Sequence, residues 1–327
     1  MAQPKVFVSR RIPSVGIEKL RRSCEVRLWD SDEVIPRAEL LRQIADVEGL
    51  LCLLTEKIDA ELLDHAPHLK VVANMAVGFD NLDVPELTRR GIVGTNTPGV
   101  LTETTADFTW ALLLAAARRI PEAERYVKEG RWKTWGPLLL LGQDVHHATI
   151  GIIGMGRIGQ EVAKRARGFD MTILYYDVYR REDLERQLGY RYVDLDTLLR
   201  ESDFVTVHVD LNERTRRMIN AEALAKMKRT AILVNAARGP IVDSQALYEA
   251  LKNGTIQAAA LDVTDPEPIP LDSPLLTLDN CLIVPHIASA SVKTRNAMAE
   301  LAADNILAVL SGQRPPTPVN PEVLSRS

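Results

Sequence analysis

The segment Thr149-Ile150-Gly151-Ile152-Ile153-Gly154-Met155-Gly156-Arg157-Ile158-Gly159 constrains the fold more than any other stretch of this 327-residue sequence. An apolar, β-branched run breaks into glycines at G-x-G-x-x-G spacing, and Ile158, Val162, Ala166 and Phe169 then share one face at helical spacing. A strand that turns at once into a helix opens a βαβ unit, and each glycine has its own reason there. Gly154 permits the tight turn, Gly156 lets a pyrophosphate reach the backbone, and Gly159 lets helix and strand pack closely. The helix N-terminus then meets phosphates with free N–H groups and the positive end of its dipole. A lone glycine turn has a purely structural explanation, but here the next strand ends in Asp177. A carboxylate at that place accepts hydrogen bonds from ribose hydroxyls and repels a 2′-phosphate. The pattern predicts a dinucleotide site that favours NAD(H), with NADP(H) second. Arg180 and Arg181, just downstream, are the one feature that works against that preference.

The same alternation of short β-branched runs and amphipathic stretches extends along the whole chain, as parallel α/β sheets require. The first series of expected strands is Lys5–Val8, Val26–Trp29, Leu50–Leu53, Lys70–Ala73 and Ile92–Val93, with helical patterns over 14–22 and 37–44 between them. A long apolar helix is expected over 104–118, with Thr102 as its N-cap and the Ile120-Pro121 pair closing it. The segment from Gly130 to Gly142, with Trp132, Trp135 and Pro137, reads as a loop. Six further strands follow: Thr149–Ile153, Met171–Tyr176, Phe204–His208, Ala231–Asn235, Gln257–Leu261 and Leu282–Val284. A last helix is expected over 293–310, then an extended Pro-rich tail from Pro315 to Pro321. The fold class is α/β with doubly wound parallel sheets.

Composition narrows the function. A net charge of −4 leaves no footprint for nucleic acid or an anionic membrane, and the apolar runs, such as 111–117, are too short to span a bilayer. Cys24, Cys52 and Cys281 lie far apart without a CxxC pair, which suggests buried thiols in a reducing compartment. No basic segment followed by an apolar one marks a signal peptide, so the expected location is cytoplasmic. His146-His147 have no third ligand nearby in sequence and read as loop histidines, so no metal site is expected.

Three later segments each put an ionisable residue just past an expected strand, where open α/β sheets bind their ligands. They are Asn235-Ala236-Ala237-Arg238-Gly239-Pro240, Leu261-Asp262-Val263-Thr264-Asp265-Pro266-Glu267-Pro268 and Pro285-His286-Ile287-Ala288-Ser289. Singly, Arg238 reads as a turn arginine, Glu267 as a solvated acid and His286 as a satisfied histidine. Behind a nucleotide fingerprint in one sheet, the three together read as a site.

With these stretches the sequence resembles the D-isomer-specific 2-hydroxyacid dehydrogenases, from about Lys5 to Pro321. Phe7-Val8-Ser9-Arg10-Arg11-Ile12-Pro13, Trp29-Asp30-Ser31-Asp32-Glu33 and Gly49-Leu50-Leu51-Cys52-Leu53-Leu54 are similar to its glyoxylate reductase/hydroxypyruvate reductase branch. The resemblance implies a Rossmann NAD domain, residues 100–288, inserted in a flavodoxin-like substrate domain, residues 1–99 and 289–327. Hinges are implied near Pro98-Gly99 and Ile287-Ala288, with closure excluding water from hydride transfer.

It also implies residue roles. Arg238 would hold the substrate carboxylate and carbonyl oxygen, His286 would be the general acid and base, and Glu267 would orient the imidazole and favour its protonated form. The backbone of Ala76-Val77-Gly78 would bind the substrate carboxylate, and Leu53 would touch the substrate's small side. Thr105 would meet the nicotinamide-side phosphate and Asp262 the carboxamide. Met155, Arg157 and Ile158 would line the pyrophosphate loop, and His208, Ala236 and Ser289 the cofactor groove, His208 having an equal reading as a packed histidine. Trp135 resembles a tryptophan that reaches into the neighbouring subunit's site, with filling of a dimer interface as its alternative; both imply a homodimer through the NAD domain. Val77 stands where phosphite dehydrogenases have lysine, which argues against that activity. The implied reaction is reduction of a small 2-oxoacid, glyoxylate to glycolate or hydroxypyruvate to D-glycerate. D-3-phosphoglycerate dehydrogenase and a non-enzymatic NADH-sensing corepressor of the same fold are the alternatives.

Overall fold

In the computed structural model, which describes residues 3–325, the chain divides into two compact units. One comprises residues up to Leu101 together with those from Ala290 onward, and the other is Thr102–Ser289. Each is built on a single parallel sheet.

The first unit contains β1 (Lys5–Val8), β2 (Glu25–Leu28), β3 (Gly49–Cys52), β4 (Val71–Asn74) and β5 (Val93–Thr95), in the order β2-β1-β3-β4-β5. β3 and β4 are buried along their whole length, which is why they read as continuous apolar runs rather than alternating ones. Short helices are fixed by their caps. Asp59 accepts from Leu62 N, Asp83 accepts from Glu86 N, and Gly91 at φ +72° ends Val84–Arg90. The helix Val292–Leu310, capped by Ser291, packs on the helix Ser14–Arg21. The contact is tightest at Gly16, where a Cβ would stand 2.8 Å from the Ala299 carbonyl oxygen.

The C-terminal segment completes the sheet edge. Asn320 accepts from Gly94 N (2.8 Å) and donates to Ile92 O (2.9 Å), which satisfies backbone groups that β5 would otherwise leave open. Pro318 bridges Thr95 in extended form, but the end of the expected extended tail differs: Pro321–Ser325 is a 3-10 helix. Proline's fixed φ suits the first position of a helical turn as well as an extended chain.

The second unit contains β6 (Thr149–Ile153), β7 (Thr172–Tyr176), β8 (Arg191–Tyr192), β9 (Phe204–Val207), β10 (Ile232–Asn235), β11 (Ala258–Leu261) and β12 (Cys281–Ile283). Their order is β12-β11-β10-β9-β6-β7-β8, so the winding reverses between β6 and β9, the place where such sheets bind nucleotides. Six strands were expected, and β8 is the seventh. It is two residues long and held by the edge-to-face contact of Tyr192 on Tyr175, too short to show a period. The long helix is Thr102–Ala117, so Thr102 is its first residue and not its cap. Trp110 on this helix stacks on Phe169 at 4.8 Å and donates to Val162 O (3.1 Å), which fixes it against the helix that follows the glycine turn. Ile120-Pro121 closes one helix and also opens another, Ile120–Lys128, after a left-handed Arg119 at φ +52°. Among the described residues no helix is long and apolar enough to cross a membrane.

Gly16→Val should destabilise the first unit by about 1–3 kcal/mol, because the new methyls meet the Ala299 backbone and not a flexible side chain. Urea unfolding followed by circular dichroism measures this, and an unchanged midpoint would refute the close helix contact.

Candidate active site

The glycine turn after β6 separates into three distinct demands. Gly154 has φ +96°, and a Cβ there would lie 2.7 Å from the His208 backbone. At Gly159 a Cβ would lie 2.0 Å from Gly154 O, so helix and turn touch backbone to backbone. Gly156 is different: it is exposed, and a Cβ would meet nothing within 4 Å. The protein's own packing does not require glycine there, whereas a phosphate group approaching the backbone does. Gly156 is also the N-cap of Arg157–Ala166 and offers no side chain to that helix's first N–H groups. The donor set therefore fits a dinucleotide pyrophosphate.

Asp177, at the end of β7, is oriented from both sides. Its Oδ2 accepts from Met155 N (2.7 Å) and its Oδ1 from Tyr179 N (3.0 Å), which leaves further lone pairs for ribose hydroxyls. The two arginines downstream are engaged elsewhere. Arg180 pairs in bidentate fashion with Glu185 (2.8 and 2.9 Å), and Arg181 with Asp183 (3.1 and 2.9 Å). Met155 lies in the glycine turn, as expected of its position. Its side chain is 1% exposed within the core, so it contributes its backbone and not its side chain to the loop, while Arg157 is exposed and Ile158 packs against the core from its rim.

Arg238, Glu267 and His286 lie on three loops that follow β10, β11 and β12. His286 Nδ1 and Glu267 Oε1 are 2.6 Å apart. Burial works against ionisation of the Glu267 carboxyl. The hydrogen bond and charge of His286 outweigh it, helped by the Thr264 backbone and the Arg238 charge, so the carboxyl titrates below the ordinary glutamate range. It is therefore ionised throughout neutral pH, and what the pair contributes to stability is present above the ordinary glutamate pKa and lost as pH falls through the lowered one. With Nδ1 held by the carboxylate, Nε2 is the ring nitrogen left to exchange a proton with a ligand.

The loops are braced against one another. Asp262 is 1% exposed and accepts from Ile287 N (2.7 Å) and Ala288 N (3.0 Å), while its own carbonyl accepts from His286 N (2.9 Å). Burial pushes the Asp262 pKa up, opposed by these two amides. His286 sits at φ +53° within this brace. Asn235, buried at the end of β10, donates to Arg238 O (2.9 Å) and accepts from Ala237 N (3.1 Å). Arg238 Nη1 donates to Ala237 O (2.9 Å). Gly239 then approaches the loop after β11 so closely that a Cβ would lie 1.8 Å from Thr264 O. Neither Asn235 nor Gly239 stands out as functional in the sequence, although an amide ending a buried strand is a usable signal.

Of the remaining expected residues in this unit, Thr105 is buried near the start of its helix, and Ala236 and Ser289 are half-buried. His208 hydrogen-bonds through Nε2 to Thr206 Oγ1 (2.8 Å), and burial lowers its pKa to about 3, so it is neutral. Trp135 is 78% exposed. Among the described residues no group of three His, Cys, Asp or Glu side chains is placed to hold a metal.

In the first unit, Leu53 follows β3, and Ala76, Val77 and Gly78 follow β4. The carbonyls of these three residues are all taken: Ala76 O by Thr97 N (2.7 Å), Val77 O by Asn96 Nδ2 (2.7 Å) and Gly78 O by Asn74 Nδ2 (2.9 Å). Because a trans peptide points N–H opposite to C=O, the N–H groups of Val77 and Gly78 face away from those partners, a shape suited to an anion.

A glycine turn fit for a pyrophosphate, with a histidine–carboxylate pair and an arginine at the same sheet's carboxyl ends, defines a nicotinamide-dinucleotide oxidoreductase. Residues 110–288 match the family model for the D-isomer specific 2-hydroxyacid dehydrogenase, NAD binding domain. The chain is 55% identical over 323 residues to a glyoxylate reductase of Korarchaeum cryptofilum, covering 98% of this chain and 97% of that one. A solved structure from Thermus thermophilus superposes with a TM-score of 0.92 at 48% identity, covering 96% and 99% of the two chains. The NADPH-dependent glyoxylate/hydroxypyruvate reductase of Sinorhizobium meliloti, solved with NADP and malonate, gives 0.83 at 36% identity and 97% coverage of each. The chain belongs to the D-isomer specific 2-hydroxyacid dehydrogenase family.

Gly239→Ala should lower kcat/KM about 100-fold, since the new methyl forces the Arg238 or the Glu267 loop to move. Steady-state kinetics on a variant whose circular dichroism is native would check this, and wild-type turnover would show that the two loops need not touch.

Proposed function

We propose that this protein reduces small 2-oxoacids with NADH, converting glyoxylate to glycolate and hydroxypyruvate to D-glycerate. The observation that carries the reading is the 2.6 Å contact of His286 Nδ1 with Glu267, on loops beside Arg238 in the unit that holds the glycine turn. The relatives' activities support the substrate class. Thr102–Ser289 is assigned as the nucleotide domain and the remainder as the substrate domain.

NADH held at the glycine turn would supply the hydride that the carbonyl carbon of the 2-oxoacid accepts. The chain's residues handle the rest. The Arg238 guanidinium holds the carboxylate and carbonyl oxygen of the 2-oxoacid, which draws electron density toward that oxygen. The Val77 and Gly78 N–H groups take the carboxylate, and Leu53 limits the space on the small side. As charge develops on the carbonyl oxygen, protonated His286 donates its Nε2 proton there, and Glu267 keeps the ring oriented by its bond to Nδ1. In the reverse direction Nε2 removes the hydroxyl proton. Thr105, Asp262, His208, Ala236 and Ser289 are assigned to the cofactor groove. Asp177 favours NADH because its fixed carboxylate repels a 2′-phosphate while Arg180 and Arg181 are tied to acids.

Oxidation of NADH and of NADPH, followed at 340 nm with glyoxylate, hydroxypyruvate, pyruvate and phosphohydroxypyruvate, tests the reading. Expected is turnover of the first two with NADH preferred, and a loss of about 100- to 10,000-fold in His286→Ala. Preference for phosphohydroxypyruvate would mark a phosphoglycerate dehydrogenase. Tight NADH binding without turnover of any of the four would point to a sensor and sink the proposal.

A homodimer is the second part of this reading. Trp132, Trp135, Leu138 and Leu141 are 57, 78, 80 and 59% exposed, an apolar stretch suited to a second copy. Sedimentation should give twice the 36.3 kDa chain mass, and Trp135→Ala should raise the KM for the 2-oxoacid severalfold. A monomer at micromolar concentration would refute it. The separate thiols Cys24, Cys52 and Cys281 fit a cytoplasmic location, which cell fractionation would check.

A further inference from the structure

Asn74 and Asn81 join two loops of the first unit through their side-chain amides. Asn74, fully buried at the end of β4, donates from Nδ2 to Gly78 O (2.9 Å) and to Asn81 Oδ1 (3.1 Å). Asn81 Nδ2 reaches the other loop, donating to Leu53 O and Glu56 O, both at 3.0 Å. The loop from Leu53 to Glu56 is also closed on itself. The buried Glu56 carboxylate accepts from Leu53 N (2.7 Å), Ser9 Oγ (2.7 Å) and Arg10 Nη2 (3.2 Å). Asn96 works on the first loop only. Its Nδ2 donates to Val77 O (2.7 Å), and its own carbonyl is held by Thr317 Oγ1 (2.6 Å) and Asn305 Nδ2 (3.3 Å).

We propose that Asn81, acting with Asn74, is a positioning residue for substrate size, fixing Leu53 relative to the Val77 and Gly78 amides. This rests on the reading that these two loops hold the 2-oxoacid. An amide N–H₂ has two hydrogens, and each asparagine spends both on backbone or amide oxygens. The Asn74–Asn81 contact is therefore a rigid link between one loop that meets the carboxylate and another that meets the group beside the carbonyl. Its length decides how large that group can be. Asn96 orients one amide of the carboxylate loop and does not touch the Leu53 loop, so it affects affinity without affecting size discrimination.

Asn81→Asp keeps the shape of the side chain but removes both donors, leaving the Leu53 and Glu56 carbonyls facing an acceptor. Kinetics with glyoxylate, hydroxypyruvate and 2-oxobutyrate should show the KM for glyoxylate rising about tenfold or more, with the KM for NADH unchanged. The ratio of kcat/KM for glyoxylate to that for 2-oxobutyrate should fall. Asn96→Asp should raise KM for all three alike and leave the ratio alone. Asn81→Ala is the second variant should the aspartate fail to fold, and the same fall in the ratio is expected. If the Asn81 variants lose thermal stability but keep both the KM and the ratio, the amides are merely structural and the inference is overturned. A wild-type protein that turns over no 2-oxoacid would instead remove the reading beneath it.

Discussion

A buried carboxylate, Asp262, is the point on which the second unit's site depends. Removing an acid from water is costly unless each oxygen finds a donor, and here the donors are the amides of Ile287 and Ala288. The Asp262 backbone carbonyl holds the amide of His286 as well. The loop after β12 is thus gripped by one residue at the end of β11, and His286 is kept at φ +53°, which an unbraced histidine rarely adopts. Gly239 extends the brace to the third loop through its approach to Thr264. The loops that carry Arg238, Glu267 and His286 are therefore braced against one another by backbone contacts.

The first unit solves a similar problem with neutral groups. The loops after β3 and β4 carry carbonyls that water would otherwise satisfy, and Asn74, Asn81 and Asn96 take them one by one. A carbonyl held inward turns the next N–H outward, so satisfying the backbone carbonyls also leaves the Val77 and Gly78 amides facing away from those partners. The one charged member, Glu56, is buried with Arg10 beside it and serves the backbone of Leu53. In both units a polar side chain at or just past a strand end, Asp262 after β11 and Asn74 at the end of β4, holds a neighbouring loop.

Much of this was legible in the order of residues. The alternation of buried runs with amphipathic segments gives α/β winding, and the spacing of Gly154, Gly156 and Gly159 gives the nucleotide turn, because both are local demands of backbone geometry. Asp177 comes directly after β7, whereas Arg238, Glu267 and His286 stand a few residues past β10, β11 and β12 and were recognisable because all three fall in loops at the carboxyl end of one sheet. Helix ends were less legible: Ile120-Pro121 stops one helix and starts another, and proline is compatible with both. β8 was illegible because two residues carry no period, and the burial of the Met155 side chain was illegible because a loop residue can turn its side chain into the core while its amide faces Asp177.

The sequence by itself determined the two parallel sheets, the glycine turn and the identities of the ionisable residues, all of which follow from neighbours within a few positions. Only the tertiary structure decided how those residues are held. Asp262 meets Ile287, Gly239 meets Thr264, and Asn81 meets Leu53 across gaps of about 25 residues that no local period records. Those contacts arise because adjacent parallel strands bring distant loops to the same edge, where a single absent Cβ or a single amide hydrogen fixes their spacing.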